Sequence, residues 1–241
     1  MITAALARGA AVTSVSRSGT PSAHLDESTR ARVEWRATPA AAISGEDAGG
    51  RDEVLAVMEG ATGVVSAVGS FGEPPLNARS MFEMNGIANA NIAQCATDSG
   101  VRRFAYISAH QYPIAKQTVF NGYYRGKVHA EDKIRELPFD ETTILRPGFI
   151  SGTRGNVPLH ILGTPMAAAF RSAPFRSLRS ALPSFFGDFL ETPVDVGDVA
   201  ICAVAGALGE MPPAGKTATC LGGTEMVAVA AELRLRDAGG A

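Results

Sequence analysis

The apolar positions of this chain fall into short β-branched runs that alternate with stretches of helical spacing. Ile2 to Arg8 is Ala-rich and reads as a helix stopped by Gly9. Ala11 to Ser16 alternates like a strand, Ser18 to Pro21 reads as a turn, and Val33 to Trp35 as a weak strand. Residues 39–50, rich in Ala and Gly, read as loop. Asp52 to Glu59 carries Val54, Leu55 and Met58 at helical spacing, and Gly63 to Val68 reads as a buried strand. Asn77 to Ser99 predicts one long helix, with Met81, Met84, Ile87, Ile92 and Cys95 near one stripe and Gly100 closing it. Arg103 to Ser108 predicts a strand, Asn121 to Leu137 a helix, and Thr142 to Arg146 a strand that ends at Pro147-Gly148. This β-α-β-α-β order is the signature of a doubly wound parallel sheet with helices on both faces.

After Gly148 the pattern loosens. Residues 151–193 are rich in Pro, Phe and Arg with poor periodicity and read as a substrate-side annex of loops and short helices. Residues 193–199 return to a strand or turn, followed by a helix to Leu208, a short strand over Thr217 to Leu221 and a terminal helix over Glu225 to Leu235.

Composition narrows the classes. At ~100–200 residues per domain, 241 residues make one large domain with room for an annex. Hydrophobic residues are 46% and charged residues 19%, which excludes a wholly disordered chain. Lys+Arg 22 against Asp+Glu 24 leaves no basic surplus for binding nucleic acid. No apolar run reaches the ~20 residues of a membrane span, and residues 1–9 lack the basic and apolar regions of a signal peptide. Cys95, Cys202 and Cys220 are too sparse for a disulfide framework, and the four histidines are scattered, so no metal site is expected.

The sharpest chemistry lies in Y-Y-R-G-K at 123–127. Tyr123 and Lys127 are at i and i+4 and share a helix face. An ammonium near a phenol favours phenolate and makes the tyrosine a usable general acid/base. Ser108 ends the preceding strand, at the sheet edge where open α/β folds bind ligands, and its hydroxyl suits a substrate carbonyl. Each residue also has a bland reading: a solvated loop charge for Arg17, an ordinary helix position for Asn85, a strand-end hydroxyl for Ser108.

Taken in order, V-T-S-V-S-R-S at 12–18, V-V-S-A-V-G at 64–69, M-N-G-I-A-N at 84–89, G-V-R-R-F-A-Y-I-S-A at 100–109, Y-Y-R-G-K-V-H-A-E at 123–131, I-L-R-P-G at 144–148, P-V-D-V-G-D-V-A at 193–200 and L-G-G at 221–223 resemble the short-chain dehydrogenase/reductase superfamily. The likeness is to its extended or atypical branch, and there to relatives of the nucleotide-binding accessory subunit of respiratory complex I and homologues linked to ubiquinone biosynthesis. The resemblance implies a Rossmann-like core over residues 1–150, with 151–241 as annex and C-terminal elements.

It also implies roles. Ser16 and Arg17 would meet the adenosine ribose, with Arg17 favouring NADP over NAD through a 2′-phosphate. Ala67, Val68 and Gly69 would pack on adenine and ribose, Asn85 would support the site, and Pro147 and Gly148 would line the nicotinamide. Ser108, Tyr123 and Lys127 would be the catalytic set, with Lys127 also holding the nicotinamide ribose.

The implied activity is an NADP-dependent oxidoreductase on a carbonyl or alcohol, with a tie to quinone metabolism. The alternatives are a non-catalytic nucleotide-binding assembly subunit, with a protein partner, and an incomplete, inactive fragment. The implied location is the mitochondrion, with plastid or cytoplasm as alternatives. The chain departs from the pattern in one respect: the opening strand and the G-x-x-G-x-x-G turn of the family are missing, so the sequence reads as starting inside the following helix. Loss of that central strand leaves three readings: a truncated sequence, direct pairing of the strands on either side, or a strand supplied by a partner.

Overall fold

The computed structural model describes residues 1–39, 43, 48–70, 77–111, 120–152, 193–212 and 218–239. The strands are β1 (Val12–Ser16), β2 (Val33–Ala37), β3 (Gly63–Ser66), β4 (Arg103–Ile107), β5 (Glu141–Arg146), β6 (Ile150–Ser151), β7 (Val194–Asp195) and β8 (Ala218–Gly222). The helices are α1 (Ile2–Ala7), α2 (Glu27–Ala31), α3 (Ala48–Met58), α4 (Ala78–Phe82), α5 (Ala88–Asp98), α6 (Asn121–Glu136), α7 (Val196–Leu208) and α8 (Gly223–Gly239). Most described strand pairs are joined through helices, and every pairing is parallel, as crossover connections require.

A four-stranded sheet runs β3-β4-β5-β8, with Tyr106 of β4 opposite Ser66 and Ile144. Its two faces are both covered. Phe104, Tyr106 and Ile144 point into one core with Val54, Met58, Ile92 and Ile134 from α3, α5 and α6. Leu145 and Leu221 point into the other, with Val199, Cys202 and Ala203 of α7 and Met226 and Ala230 of α8. Ile144 and Leu145, adjacent in β5, thus serve opposite cores, as the period of two in a strand demands.

β1 and β2 form a separate two-stranded sheet. No pairing joins β1 to β3 among the described residues, so the expected direct pairing of these strands is not seen there. Val15 of β1 is 47% exposed, as an apolar residue on an uncovered strand would be.

Several elements differ from the sequence reading, among them β3, which stops at Ser66 rather than Val68, and α8, which runs over Gly223–Gly239 rather than 225–235. α2 is an extra turn of helix, started by Asp26, whose carboxylate accepts from Thr29 N at 2.8 Å. α3 opens at Ala48 rather than Asp52. The long helix expected over 77–99 is broken by a π-helical segment, Glu83–Ile87, between α4 and α5. Met81 is fully buried, in keeping with a core position. The annex over 151–193 lies almost wholly outside the described residues.

α4 and the π segment cross α6 at very close range. A Cβ placed on Gly122 of α6 would stand 1.9 Å from the Ala78 carbonyl oxygen. A rigid helix backbone cannot yield there as a side chain would. Gly122→Ala is expected to cost about 1–3 kcal/mol of stability, read as a lower urea midpoint with an unchanged slope. An unchanged midpoint would show that the crossing relaxes freely.

Candidate functional site

The site forms where the C-terminal ends of β3, β4 and β5 meet α6 and the π segment. Lys127 is 4% exposed, and its Nζ donates to Ile107 O at 2.8 Å and Val68 O at 3.2 Å. The ammonium lies 4.9 Å from the Tyr106 ring centre and 5.8 Å from that of Tyr123. Two carbonyls and two π faces favour the charged form. Burial opposes them and pushes the Lys127 pKa down to about 7, while the charge of Glu131 works to raise it.

Glu131, one helical turn after Lys127, is 1% exposed. Its Oε1 accepts from Ser108 Oγ at 2.5 Å and from Arg146 Nε at 2.9 Å, and its Oε2 accepts from Arg135 Nη2 at 3.0 Å and from Arg146 Nη2. Burial alone would push this carboxyl up. Hydrogen bonds from Arg146 and Ser108, with the two guanidinium charges, outweigh burial and hold it below the usual carboxylate range.

The π segment gives the site its amides. A widened turn leaves carbonyls without their ordinary helical partners, and side chains take them up. Asn85 Nδ2 donates to Met81 O at 2.7 Å and to Ser70 O at 2.6 Å, and its Oδ1 accepts from Ser70 N. Asn85 O in turn accepts from Tyr106 Oη at 3.1 Å and Asn89 Nδ2 at 3.1 Å. Asn89 also donates to Val68 O and accepts from Ser66 Oγ at 2.6 Å. Asn85 and Asn89 therefore fix the loop that carries Val68 and Gly69. A Cβ on Gly69 would lie 2.8 Å from Asn85 Oδ1 and 3.3 Å from Lys127 Nζ, so only glycine lets the backbone pass there.

The structure thus brings Val68, Gly69, Asn85 and Tyr123 near Lys127, and places Ser108, next to Ile107, on Glu131 one turn along the same helix. Ala67, exposed, leads into the same loop. Pro147 and Gly148 follow β5, and Pro147 O accepts from His110 N at 2.8 Å, two residues beyond Ser108. Ser16 and Arg17 lie on the other sheet, at the end of β1. Ser16 Oγ accepts from Gly19 N at 3.1 Å, closing a tight turn that leaves Arg17 exposed.

Glu131, Asn89 and Tyr106 carry much of the site and were not singled out from sequence. Glu131 had a legible signal, because it lies at i+4 from Lys127 and i+8 from Tyr123 on the same helix face. Asn89 sits at i+4 from Asn85, but its role depends on the π turn, which no spacing rule revealed.

Several residues fit a dinucleotide. Lys127 offers an ammonium beside an exposed glycine that permits close backbone approach, and Arg17 offers an exposed guanidinium suited to phosphate. No Gly-rich phosphate turn occurs among the described residues.

Lys127 has a consequence for stability. Between pH 7 and its unfolded value of 10.5, the unfolded chain holds a proton that the folded chain gives up. Its penalty is therefore full below about pH 7 and fades as pH rises. Relative to Lys127→Met, the wild-type chain is expected to gain stability between pH 7 and 9, by on the order of 1 kcal/mol per pH unit. Parallel urea curves for the two proteins across that range would instead show a lysine that stays charged.

Comparison with known proteins shows the family and the fold. A family model described as NAD(P)H-binding matches residues 1–165. The uncharacterized chloroplastic protein At1g32220 of Arabidopsis thaliana is 36% identical over 207 residues, covering 83% of this chain and 64% of that protein. The mitochondrial protein fmp52-1 of Aspergillus oryzae is 29% identical over 143 residues, covering 58% and 55%. The chain thus spans less than two thirds of the length of these relatives. Among solved structures, MoeE5 in complex with UDP-glucose and NAD superposes with a TM-score of 0.59 at 14% identity, over 96% of this chain and 76% of that one. The Bordetella bronchiseptica enzyme WbmG in complex with NAD gives 0.57 at 15%, over 100% and 74%. The match over residues 1–165 takes in more than half of the sequence, and it makes this chain a member of the NAD(P)H-binding family, with a Rossmann-like parallel α/β fold.

Proposed function

We propose that this protein is an NADP-dependent oxidoreductase acting on a carbonyl or alcohol carbon. The observation that carries the reading is the buried Lys127 ammonium, held by the carbonyls of Ile107 at the end of β4 and Val68 in the loop after β3, and lying 5.8 Å from the Tyr123 ring. Bound NAD(P)H would supply the hydride. Tyr123 would give its phenol proton to the substrate oxygen as the carbon is reduced, and would regain a proton from solvent. Lys127 would stabilise the phenolate left behind and offer hydrogen bonds to the ribose. Ser108, at the end of β4, would contact the substrate. Ser16 and Arg17 would face the adenosine end, Ala67, Val68 and Gly69 the adenine and its ribose, and Pro147 and Gly148 the nicotinamide. Arg17 supports NADP over NAD because a guanidinium at the first turn matches a 2′-phosphate.

Residues 1–150 would hold the dinucleotide, and 151–241 the substrate and the closing elements. The names of the chloroplast and mitochondrial relatives support an organelle, the mitochondrion or the plastid. A quinone is one carbonyl substrate that fits this chemistry.

A second reading is a non-catalytic nucleotide-binding subunit. It is favoured by one feature: the polar atoms of the site are already well partnered within the chain, Lys127 with two carbonyls and Ser108 with Glu131.

Two measurements test the proposal. At 100 times its dissociation constant, NADPH should raise stability by about 2.7 kcal/mol, and NADH at the same concentration should do less. Arg17→Ala should erase that selectivity, and an NADH shift equal to that of NADPH in the wild type would refute the assignment of Arg17. Tyr123→Phe should abolish reduction of a quinone or ketone panel while leaving NADPH binding in place. Wild-type protein that binds NADPH and reduces nothing in the panel would favour the second reading.

A further inference from the structure

Ser108 has one proton, and the structure spends it inside the protein. Its Oγ donates to Glu131 Oε1 at 2.5 Å, and Glu131 is 1% exposed. That carboxylate cannot turn away, because Arg146 grips both of its oxygens and Arg135 holds Oε2. An ionised carboxylate only accepts hydrogen bonds, so the serine hydroxyl must donate to it. Ser108 is itself 3% exposed, and toward the end of β4 its Oγ has only lone pairs left to offer. A hydroxyl in this state cannot polarise a carbonyl by donating to it.

We propose that Glu131 is a positioning residue that fixes Ser108 as a hydrogen-bond acceptor, so that the site selects substrates bearing a hydroxyl next to the reacting carbonyl or alcohol carbon. This rests on the reading of Tyr123 as acid/base. Tyr123 serves the reacting oxygen, and Ser108 reads the neighbouring hydroxyl by accepting its proton in a hydrogen bond. No proton is transferred to Ser108 or Glu131 in this arrangement. The substrate class is therefore α-hydroxy carbonyls and the matching vicinal diols.

The same geometry says what Glu131→Gln should do. Oε2 accepts from both guanidinium groups, and Arg146 Nε, 2.9 Å from Oε1, also reaches Oε2 at 3.1 Å, so the glutamine oxygen takes the Oε2 place and keeps all three donors. The amide nitrogen then falls where Oε1 was and donates to Ser108 Oγ. Ser108 becomes free to donate outward, and its preference reverses. An isosteric exchange of one atom thus converts the site from acceptor to donor.

Two ketones separate these states. The hydroxyl of hydroxyacetone donates, and the ether oxygen of methoxyacetone only accepts. Their binding to the full chain saturated with NADP+, where neither ketone is reduced, can be followed by ligand-observed NMR. Wild type is expected to favour hydroxyacetone about fivefold, the order of one net hydrogen bond. Glu131→Gln should bring the ratio to one or below by tightening methoxyacetone, and Ser108→Ala should bring it to one by weakening hydroxyacetone. A merely structural Glu131 would weaken both ketones together and leave the ratio alone.

Equal binding in the wild type, an unchanged ratio in Glu131→Gln, or no binding of either ketone would overturn the inference. A second measurement does not depend on any ligand. The Ser108 hydroxyl proton should give a downfield, slowly exchanging resonance that is lost in both Ser108→Ala and Glu131→Gln, and its absence in the wild type would also overturn the inference. A chain that discriminates the ketones yet reduces neither with NADPH would remove the catalytic reading and leave the acceptor role of Ser108 standing.

Discussion

Two opposite charges, Lys127 and Glu131, lie one helical turn apart on α6, and both are almost completely shielded from water. A buried ion is costly unless it is paired and hydrogen-bonded, so the surrounding structure has to meet both demands. The end of β4 and the loop after β3 answer Lys127 through the carbonyls of Ile107 and Val68. Side chains answer Glu131 through Ser108, Arg135 and Arg146. Arg135 lies on α6 itself, and the other partners come from β5, from the end of β4 and from the loop after β3, so these contacts fix α6 against β3, β4 and β5 more specifically than apolar packing would.

The remaining polar framework follows from the same helix. For Lys127 to reach the strand ends, α6 must lie very near its neighbour, and Gly122 permits that approach. The neighbouring helix opens into a π turn at the crossing and so frees carbonyls, which Asn85, Asn89 and Tyr106 satisfy. These amides hold the loop at Val68 and Gly69 beside Lys127. The candidate site is thus a set of buried polar groups that satisfy one another, built on elements whose apolar faces form two separate cores.

The β1–β2 pair contrasts with this. It carries Ser16 and Arg17, the residues read as the adenosine end, on a sheet of its own. Its strands contribute little to either apolar core, and Val15 stands exposed. Coupling between the Arg17 end and the Tyr123 end therefore does not run through strand pairing among the described residues.

The sequence by itself determined the parallel α/β class, the order of the major elements and the Tyr123–Lys127 helix. These are local matters: periods of two and of 3.6, turn residues, and i to i+4 spacing are written in contiguous residues. It also located Ser108 at a strand end and Asn85 on the right helix, because those positions follow from element boundaries. Only the tertiary structure decided that the long helix breaks into a π turn, that Asn89 and Tyr106 belong to the site, and that the Ser108 proton points at Glu131. The physical reason is that such facts depend on which buried donor finds which acceptor across elements 15 to 23 residues apart. A serine that donates outward and one that donates inward have the same sequence signature, and only the position of a buried carboxylate, held by two arginines, distinguishes them.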